Sequence, residues 1–455
     1  MEIKEIVENQ RKYFNDGKTL SIKSRIEVLK KLEKLIIKYT PKFLTAFKSD
    51  LNKSEFDVLT TEIYLVLDEC RYMIKNIKKL TKPKKVRTSI TNFPSKGYLL
   101  QEPYGVTLIM APWNYPLQLA LCPLFGSIAA GNTVVLKPAS YAKEVSKTIF
   151  EMIEEFNNPN LISVVLGGRN ENQELLNQKF DYIFFTGGVT VGKLVLQKAS
   201  ENITPVTLEL GGKSPCVVLK DADVKLAAKR ITWGKFLNAG QTCVAPDYIC
   251  VDKSIHDDFI KYVKQYINDY YYTNNEINNT FTHLINDKHK EKLLSLLEKE
   301  KVINNIKADG LLMEPIIMDN ISFNDKIMQE EIFGPIMPII SFENEETLFN
   351  NIKTIDKPLA FYLFTNDKNK AKDILNKMPF GGGCINDTVM HLTNTNLPFG
   401  GVGKSGMGSY HGKKSFETFS HQKSLLKKGK LELNIKYPPV NEKKIKFIKK
   451  LAKIK

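Results

Sequence analysis

From residue 104 to residue 136 the chain carries no charged side chain. A stretch of that length has to be buried, either in lipid or in a protein interior. Pro112, Pro116, Pro123, Gly126 and Gly131 interrupt it, so no part supplies the ~20 unbroken apolar residues of a membrane-spanning helix. The pattern predicts instead a strand over 105–111, a helix opening near Pro116 and ending at Gly131, and a second strand over 132–137. That is a βαβ unit with an apolar crossover, the building block of a parallel sheet covered on both faces.

The same alternation continues along the chain, as a doubly wound α/β sheet requires. Strands are predicted at 181–186, 205–210, 215–219, 248–251, 336–342 and 360–365, with helices at 191–200, 224–238, 255–270 and 287–299. In the second of these helices Val224, Ala227, Ala228 and Ile231 fall on one face. Two α/β domains follow from this pattern. Residues 2–80 are rich in Lys, Glu and Leu with helical periodicity. Residues 81–101, with Pro83, Pro94 and Gly97, are too polar for a core strand and predict a projecting arm or hairpin. The Asn-rich run 274–280 reads as a surface loop.

Charge needs to be located before it is interpreted. From Gln422 onward there are twelve Lys and two Glu, so +10 of the net +16 sits in the tail and the body carries only a weak field. The tail has only two aromatic residues, Tyr437 and Phe447, and no recognition motif, which argues against a nucleic-acid partner. With 42% hydrophobic and 25% charged residues the composition is that of a globular chain. The six cysteines (70, 122, 216, 243, 250, 384) are scattered, and residues 1–14 have no apolar signal segment, which predicts a cytoplasmic protein.

Three segments carry chemistry. In Gly240-Gln241-Thr242-Cys243 a cysteine stands just past a predicted helix, where its thiol can act as a nucleophile and its own N–H can face a developing oxyanion. Taken alone the signal is weak and a small buried cysteine is the better reading, the one that applies to the other five. In Leu208-Glu209-Leu210-Gly211-Gly212-Lys213 a lone carboxylate sits between two leucines. Burial would push its pKa upward and suit it to general-base work, unless it pairs with Lys213. In Pro112-Trp113-Asn114-Tyr115-Pro116 two prolines fix a turn that could hold the Asn114 amide as an oxyanion donor or use it only to make the turn. No zinc or serine-triad motif appears among the six histidines, so no catalytic metal is expected.

These segments, in this order, resemble the NAD(P)-dependent aldehyde dehydrogenases. Further signatures agree: Phe185-Thr186-Gly187 with Gly192, Gln329-Glu330-Glu331-Ile332-Phe333-Gly334-Pro335, and the run from Leu397 through Gly406. The segment from Ser409 to His421 is similar to the short, class-three branch that includes fatty aldehyde dehydrogenases. The resemblance implies oxidation of an aldehyde, medium- or long-chain aliphatic or aromatic, to its acid. Cys243 forms a thiohemiacetal and then a thioester, Asn114 and the Cys243 N–H hold the oxyanion, and Glu209 activates the hydrolytic water. That base argues against a CoA-acylating variant. A non-catalytic protein on the same scaffold would be expected to have lost Cys243 or Glu209.

For the coenzyme the resemblance implies that Lys137 contacts the adenosine ribose, that Gly187, Gly188, Val189, Thr190, Val191 and Gly192 line the pyrophosphate, and that Glu331 and Phe333 position the nicotinamide riboside. Gly188 and Val189 depart from the family's usual Ser-Thr. Ser140 stands where a Glu is usual, which predicts use of NADP beside NAD. The implied domains are coenzyme-binding (1–81 and 101–211), catalytic (212–408) and an oligomerisation arm (82–100 and 422–436) that pairs with the partner subunit of a homodimer. Residues 437–455 form a basic amphipathic tail, with Ile445, Phe447, Ile448, Leu451, Ala452 and Ile454 on one half of its wheel. It either lies on an anionic membrane as a peripheral contact or packs on the enzyme.

Overall fold

The computed structural model describes residues 2–432 and 434–454, and these divide into two compact units, one within Met1–Leu80 and Pro103–His421, the other within Thr81–Glu102 and Gln422–Lys455.

The charge-free stretch lies at the centre of the first unit. It forms the strand Val106–Met110, the helix Gln118–Ala130, all 13 residues of which are buried, and the strand Thr133–Lys137. The helix ends where predicted, at Gly131 with φ +104°, and there the Arg25 guanidinium donates to the carbonyls of Ala129 and Ala130 at 3.2 and 3.0 Å. A cation at a helix C-terminus satisfies orphan carbonyls and opposes the helix dipole. A Cβ at position 131 would lie 2.5 Å from that guanidinium, so glycine is needed for space as well as for φ.

Around this unit runs a six-stranded sheet in the order Gly406–Met407, Val206–Leu210, Tyr182–Gly187, Val106–Met110, Thr133–Lys137, Ile162–Val164. All its pairs are parallel except the one made by Gly406–Met407. The chain enters at Val106–Met110, winds to one edge, and returns to the other side through Tyr182–Gly187. The two central strands therefore send their connections apart, which opens a crevice at their carboxyl ends.

The second sheet is parallel throughout, in the order Ile316–Met318, Ile336–Phe342, Tyr248–Asp252, Pro215–Val218, Ala360–Phe364, Gly382–Ile385. The doubly wound α/β class is thus observed, with the N-terminal helices Ile3–Asn15, Ile22–Leu51 and Tyr64–Leu80 completing the first unit's core.

Several predicted elements change in detail. The helix expected over 287–299 stops at Ser295. The one expected over 224–238 stops at Phe236, and Asn238 and Ala239 turn to φ 55° and 53°. The Asn-rich run is part of a small hairpin, Tyr272–Thr273 against Glu276–Ile277, turned by Asn274 and Asn275 at φ 52° and 65°. Two positive φ angles match the strand twist, and Asn tolerates them. The helices Lys143–Phe156, Arg169–Leu176, Glu345–Thr354 and Lys368–Lys377 have no counterpart in the sequence reading.

In the second unit Lys84–Val86 and Lys96–Pro103 form an antiparallel hairpin that Ser420–Lys427 extends to three strands. The tail helix runs over Glu442–Ala452. Its apolar residues Ile445, Phe447, Ile448 and Leu451 are exposed.

Candidate active site

Cys243 lies beyond a turn that the chain must be forced to make. After the helix Val224–Phe236 the backbone passes through left-handed conformations at Asn238, Ala239 and Gly240 (φ 55°, 53° and 74°). Two consecutive non-glycine residues there are strained, and such strain persists only where neighbours hold it. Here they do. The buried Asn238 donates through Nδ2 to the carbonyls of Asn114 (3.0 Å) and Gln241 (3.2 Å). Gln241 donates to the carbonyls of Asn238 and His283 and accepts from the Ile285 N–H at 3.1 Å. At Gly240 a Cβ would lie 2.2 Å from the Gly334 carbonyl oxygen, so the loop and the 331–334 segment touch backbone to backbone.

The 112–116 turn closes over this loop. Asn114 is 3% exposed and donates from Nδ2 to the Gln241 carbonyl at 3.0 Å. A primary amide has two N–H donors, so one remains for a ligand. The Tyr115 hydroxyl meets Thr242 Oγ1 at 2.7 Å, and Thr242 also reaches the Leu237 carbonyl at 3.4 Å. Asn114 is therefore more than a turn former: its side chain is tied to the segment that carries the cysteine.

Glu209 sits near the end of its strand, in register with Thr186 on one side and Gly406 on the other. It is 2% exposed, and neither carboxylate oxygen has a hydrogen-bond partner. The Lys213 pairing does not form. Lys213 instead bonds Asp247 at 2.5 Å and the carbonyls of Ile327 and Glu330 at 2.9 Å each. Burial without compensation pushes the Glu209 pKa well above the carboxylate range. Thr186 Oγ1 is also buried and unpartnered.

Cys243 and Glu209 line one cavity of about 370 Å³, whose other walls include Tyr115, Trp233, Leu237 and Phe399. Desolvation, and then the charges of Glu331 and Glu209, push the Cys243 thiol pKa up; the backbone N–H groups of Cys243 and Val244 pull it the other way. Of the other five cysteines, Cys70, Cys122, Cys216 and Cys250 are buried as expected. Cys384 differs: it is half-buried with Sγ 3.6 Å from His391 Nδ1.

The segment carrying Glu331 and Phe333 is pinned from below, because the Asp247 carboxylate that pairs with Lys213 also accepts the Ile332 N–H at 3.0 Å. Glu331 lies against Gly211, where a Cβ would be 1.9 Å from its carboxylate, and burial raises its pKa to about 8. Phe333 adopts φ 56°, uncommon for a bulky side chain; its carbonyl meets His289 Nε2 at 2.8 Å and its ring packs edge-on to Trp113.

The remaining sequence-predicted residues gather at the carboxyl ends of the first sheet. Lys137 is 3% exposed, donates to the carbonyls of Pro138 (2.9 Å) and Gly167 (2.7 Å), and has its pKa lowered to about 8 by burial. Ser140 is exposed on the loop beyond. Gly187 ends its strand and Gly188 caps the helix Val189–Ser200 without any side-chain cap, so the first N–H groups, with Thr190 and Val191 exposed beside them, are open to an anion. Gly192 serves packing: a Cβ there would be 2.7 Å from Leu210. Sequence reasoning missed Thr242, Tyr115 and the Lys213–Asp247 pair. The only signal for the last was a charged residue directly before the apolar strand Tyr248–Asp252.

The sequence model described as the aldehyde dehydrogenase family matches residues 1–425. This chain is an aldehyde dehydrogenase. It is 45% identical to the 4,4'-diaponeurosporen-aldehyde dehydrogenase of Staphylococcus aureus over 97% of both chains. It is 40% identical to aldehyde dehydrogenase family 3 member A2 of Rattus norvegicus, covering 97% of this chain and 93% of that one. It is also 39% identical to the dimeric NADP-preferring aldehyde dehydrogenase of Canis lupus familiaris, covering 96% and 98%. These relatives place the dehydrogenase in the class-three-like branch. A solved structure of Staphylococcus aureus AldH in a substrate-bound state superposes with a TM-score of 0.96 at 44% identity, covering 99% of this chain and 100% of that one. The enzyme oxidises aldehydes.

Proposed function

We propose that this enzyme oxidises lipophilic aldehydes, medium- or long-chain aliphatic or aromatic, to carboxylic acids with NAD or NADP. The observation that carries the reading is that Cys243 and the buried, unpaired Glu209 line the same apolar cavity. Its Trp, Phe and Leu walls match a hydrocarbon substrate.

In this reading Cys243 attacks the aldehyde carbon. Its raised pKa means that the thiol must pass its proton to solvent water as attack begins. The free N–H of Asn114 and the Cys243 N–H hold the oxyanion of the thiohemiacetal. The coenzyme, when bound, supplies the hydride acceptor. Open N–H groups at Gly188–Thr190 receive the pyrophosphate, Lys137 and Ser140 lie toward the adenosine ribose, and Glu331 and Phe333 hold the nicotinamide riboside. Glu209 then deprotonates the water that cleaves the thioester.

By this account residues 1–81 and 101–211 bind coenzyme and 212–408 provide the nucleophile, while the hairpin arm joins two copies in a homodimer, a state that the name of one relative supports. A screen of NADH and NADPH formation over aldehydes of rising length tests the substrate claim. The expected result is a KM that falls with chain length; a preference for short, polar aldehydes overturns it.

A further inference from the structure

Charge in this molecule is divided between the two units. Residues 81–102 and 422–455 contain seventeen Lys and Arg against three Glu, so the second unit carries +14 of the net +16. The catalytic unit is left nearly neutral, although it is several times larger.

The helix Glu442–Ala452 adds an apolar surface to that basic unit. Asn441 caps it, accepting the Lys444 N–H at 3.0 Å. Ile445, Phe447, Ile448 and Leu451 occupy one side and are 41–49% exposed, and Ile454 just beyond is 63% exposed. The opposite side is lined by Lys443, Lys446, Lys449 and Lys450. Lys444 is the one lysine whose wheel position falls among the apolar residues. Its Nζ is turned back to the carbonyls of Tyr437 (2.7 Å) and Pro439 (2.9 Å), which keeps the ammonium from interrupting the face.

We propose that the second unit is a docking surface for an anionic lipid bilayer, with this helix lying in the interface plane. A bilayer meets both halves of the helix at once. The apolar row enters the headgroup and acyl boundary, while the lysines remain at the level of the phosphates, and the basic charge of the rest of the unit adds attraction. An RNA would answer the lysines and leave the apolar row in water. Spanning is excluded for this element, since no helix among the described residues is long and apolar enough to cross a membrane. The enzyme is then a peripheral protein of a membrane's cytoplasmic face, where lipophilic aldehydes concentrate. The inference stands on charge and exposure and does not depend on which aldehyde is oxidised.

The test is flotation of the full-length enzyme with vesicles of phosphatidylcholine alone or with 30% phosphatidylserine, at low and high salt. The expected result is at least tenfold more bound enzyme on the phosphatidylserine vesicles, lost at high salt. Two full-length variants separate the components: Phe447→Ser with Ile448→Ser removes the apolar row, and Lys446→Glu with Lys450→Glu inverts the charge. Each should abolish flotation while turnover of a water-soluble aldehyde and the circular-dichroism spectrum stay unchanged. Wild-type enzyme left in the supernatant with anionic vesicles, or flotation that survives both variants, overturns the proposal. So does binding of a single-stranded RNA at equal affinity by wild type and by the Phe447/Ile448 variant.

Discussion

Lys53 and Glu62 form an ion pair at 3.1 Å with their side chains 1% and 0% exposed, next to Tyr115 and Gln118 of the cavity wall. Glu62 also accepts the Gln118 N–H at 2.8 Å near the start of the apolar helix, and the Lys53 ammonium lies 4.2 Å from the centre of the Tyr115 ring. Lys53→Met keeps the length of the side chain and removes the charge. Glu62 would be left buried with little more than a backbone N–H to compensate it, and breaking one side of a buried pair costs about 3–5 kcal/mol. Lys53→Met with Glu62→Gln leaves no buried charge and should recover most of the loss. The deficit should also depend on pH. Burial already raises the Glu62 pKa in the presence of Lys53, and the single variant raises it further. A carboxyl whose folded pKa exceeds its unfolded one binds an extra proton in the native state, so stability falls as pH rises from the unfolded pKa toward the folded one. The deficit should therefore be largest at pH 8 and shrink toward pH 5. Urea unfolding followed by tryptophan fluorescence at both pH values measures it. A single variant within ~1 kcal/mol of wild type at pH 8, a scale typical of exposed pairs, would refute the reasoning. A double variant as unstable as the single would do the same.

Three further outcomes are expected. Asn114→Ala should lower the rate of acyl-enzyme formation by roughly 10²-fold, measured by stopped-flow NADH formation, because one oxyanion donor is lost; an unchanged rate would return Asn114 to a turn former. Gly240→Ala places a Cβ 2.2 Å from the Gly334 carbonyl oxygen at a φ of 74°, so it should yield unstable or inactive enzyme by thermal melting and turnover, and wild-type values for both would contradict the described contact. Ser140→Glu should shift kcat/KM toward NAD, since a carboxylate hydrogen-bonds the ribose 2′-hydroxyl and repels a 2′-phosphate; wild type without NADP activity would remove the role given to Ser140.

The elements legible in the sequence were those whose signal is local. The 104–136 stretch announced its strands and helix because burial on both faces excludes every charge, and the helix end at Gly131 followed from the residue type alone. Lys143–Phe156 was missed although its burial is amphipathic, because Lys and Glu on its outer face hide the apolar spacing. At the site, Cys243, Glu209 and Asn114 could be picked by residue type and surroundings. What brings them together could not be picked, because it is made by backbone carbonyls and left-handed angles at Asn238, Ala239 and Phe333 that side-chain identity does not encode. The Glu209–Lys213 alternative failed for a similar reason: two residues four apart look like partners, yet Lys213 is spent on Asp247 and the 327–330 carbonyls.

The central claim is that Cys243 opens the reaction and Glu209 closes it, and the most direct measurement is rapid-quench kinetics of Glu209→Gln. With the thioester formed but not hydrolysed, the variant should release about one equivalent of reduced coenzyme per active site, hold an acyl group on Cys243 detectable by intact mass, and turn over at least ~10²-fold more slowly. Wild-type steady-state rate should fall as pH drops through the raised pKa of Glu209, because only the carboxylate can take a proton from water. A Glu209→Gln enzyme with normal turnover, or one that accumulates no acyl adduct because the first step has failed, would contradict the division of labour between the two residues.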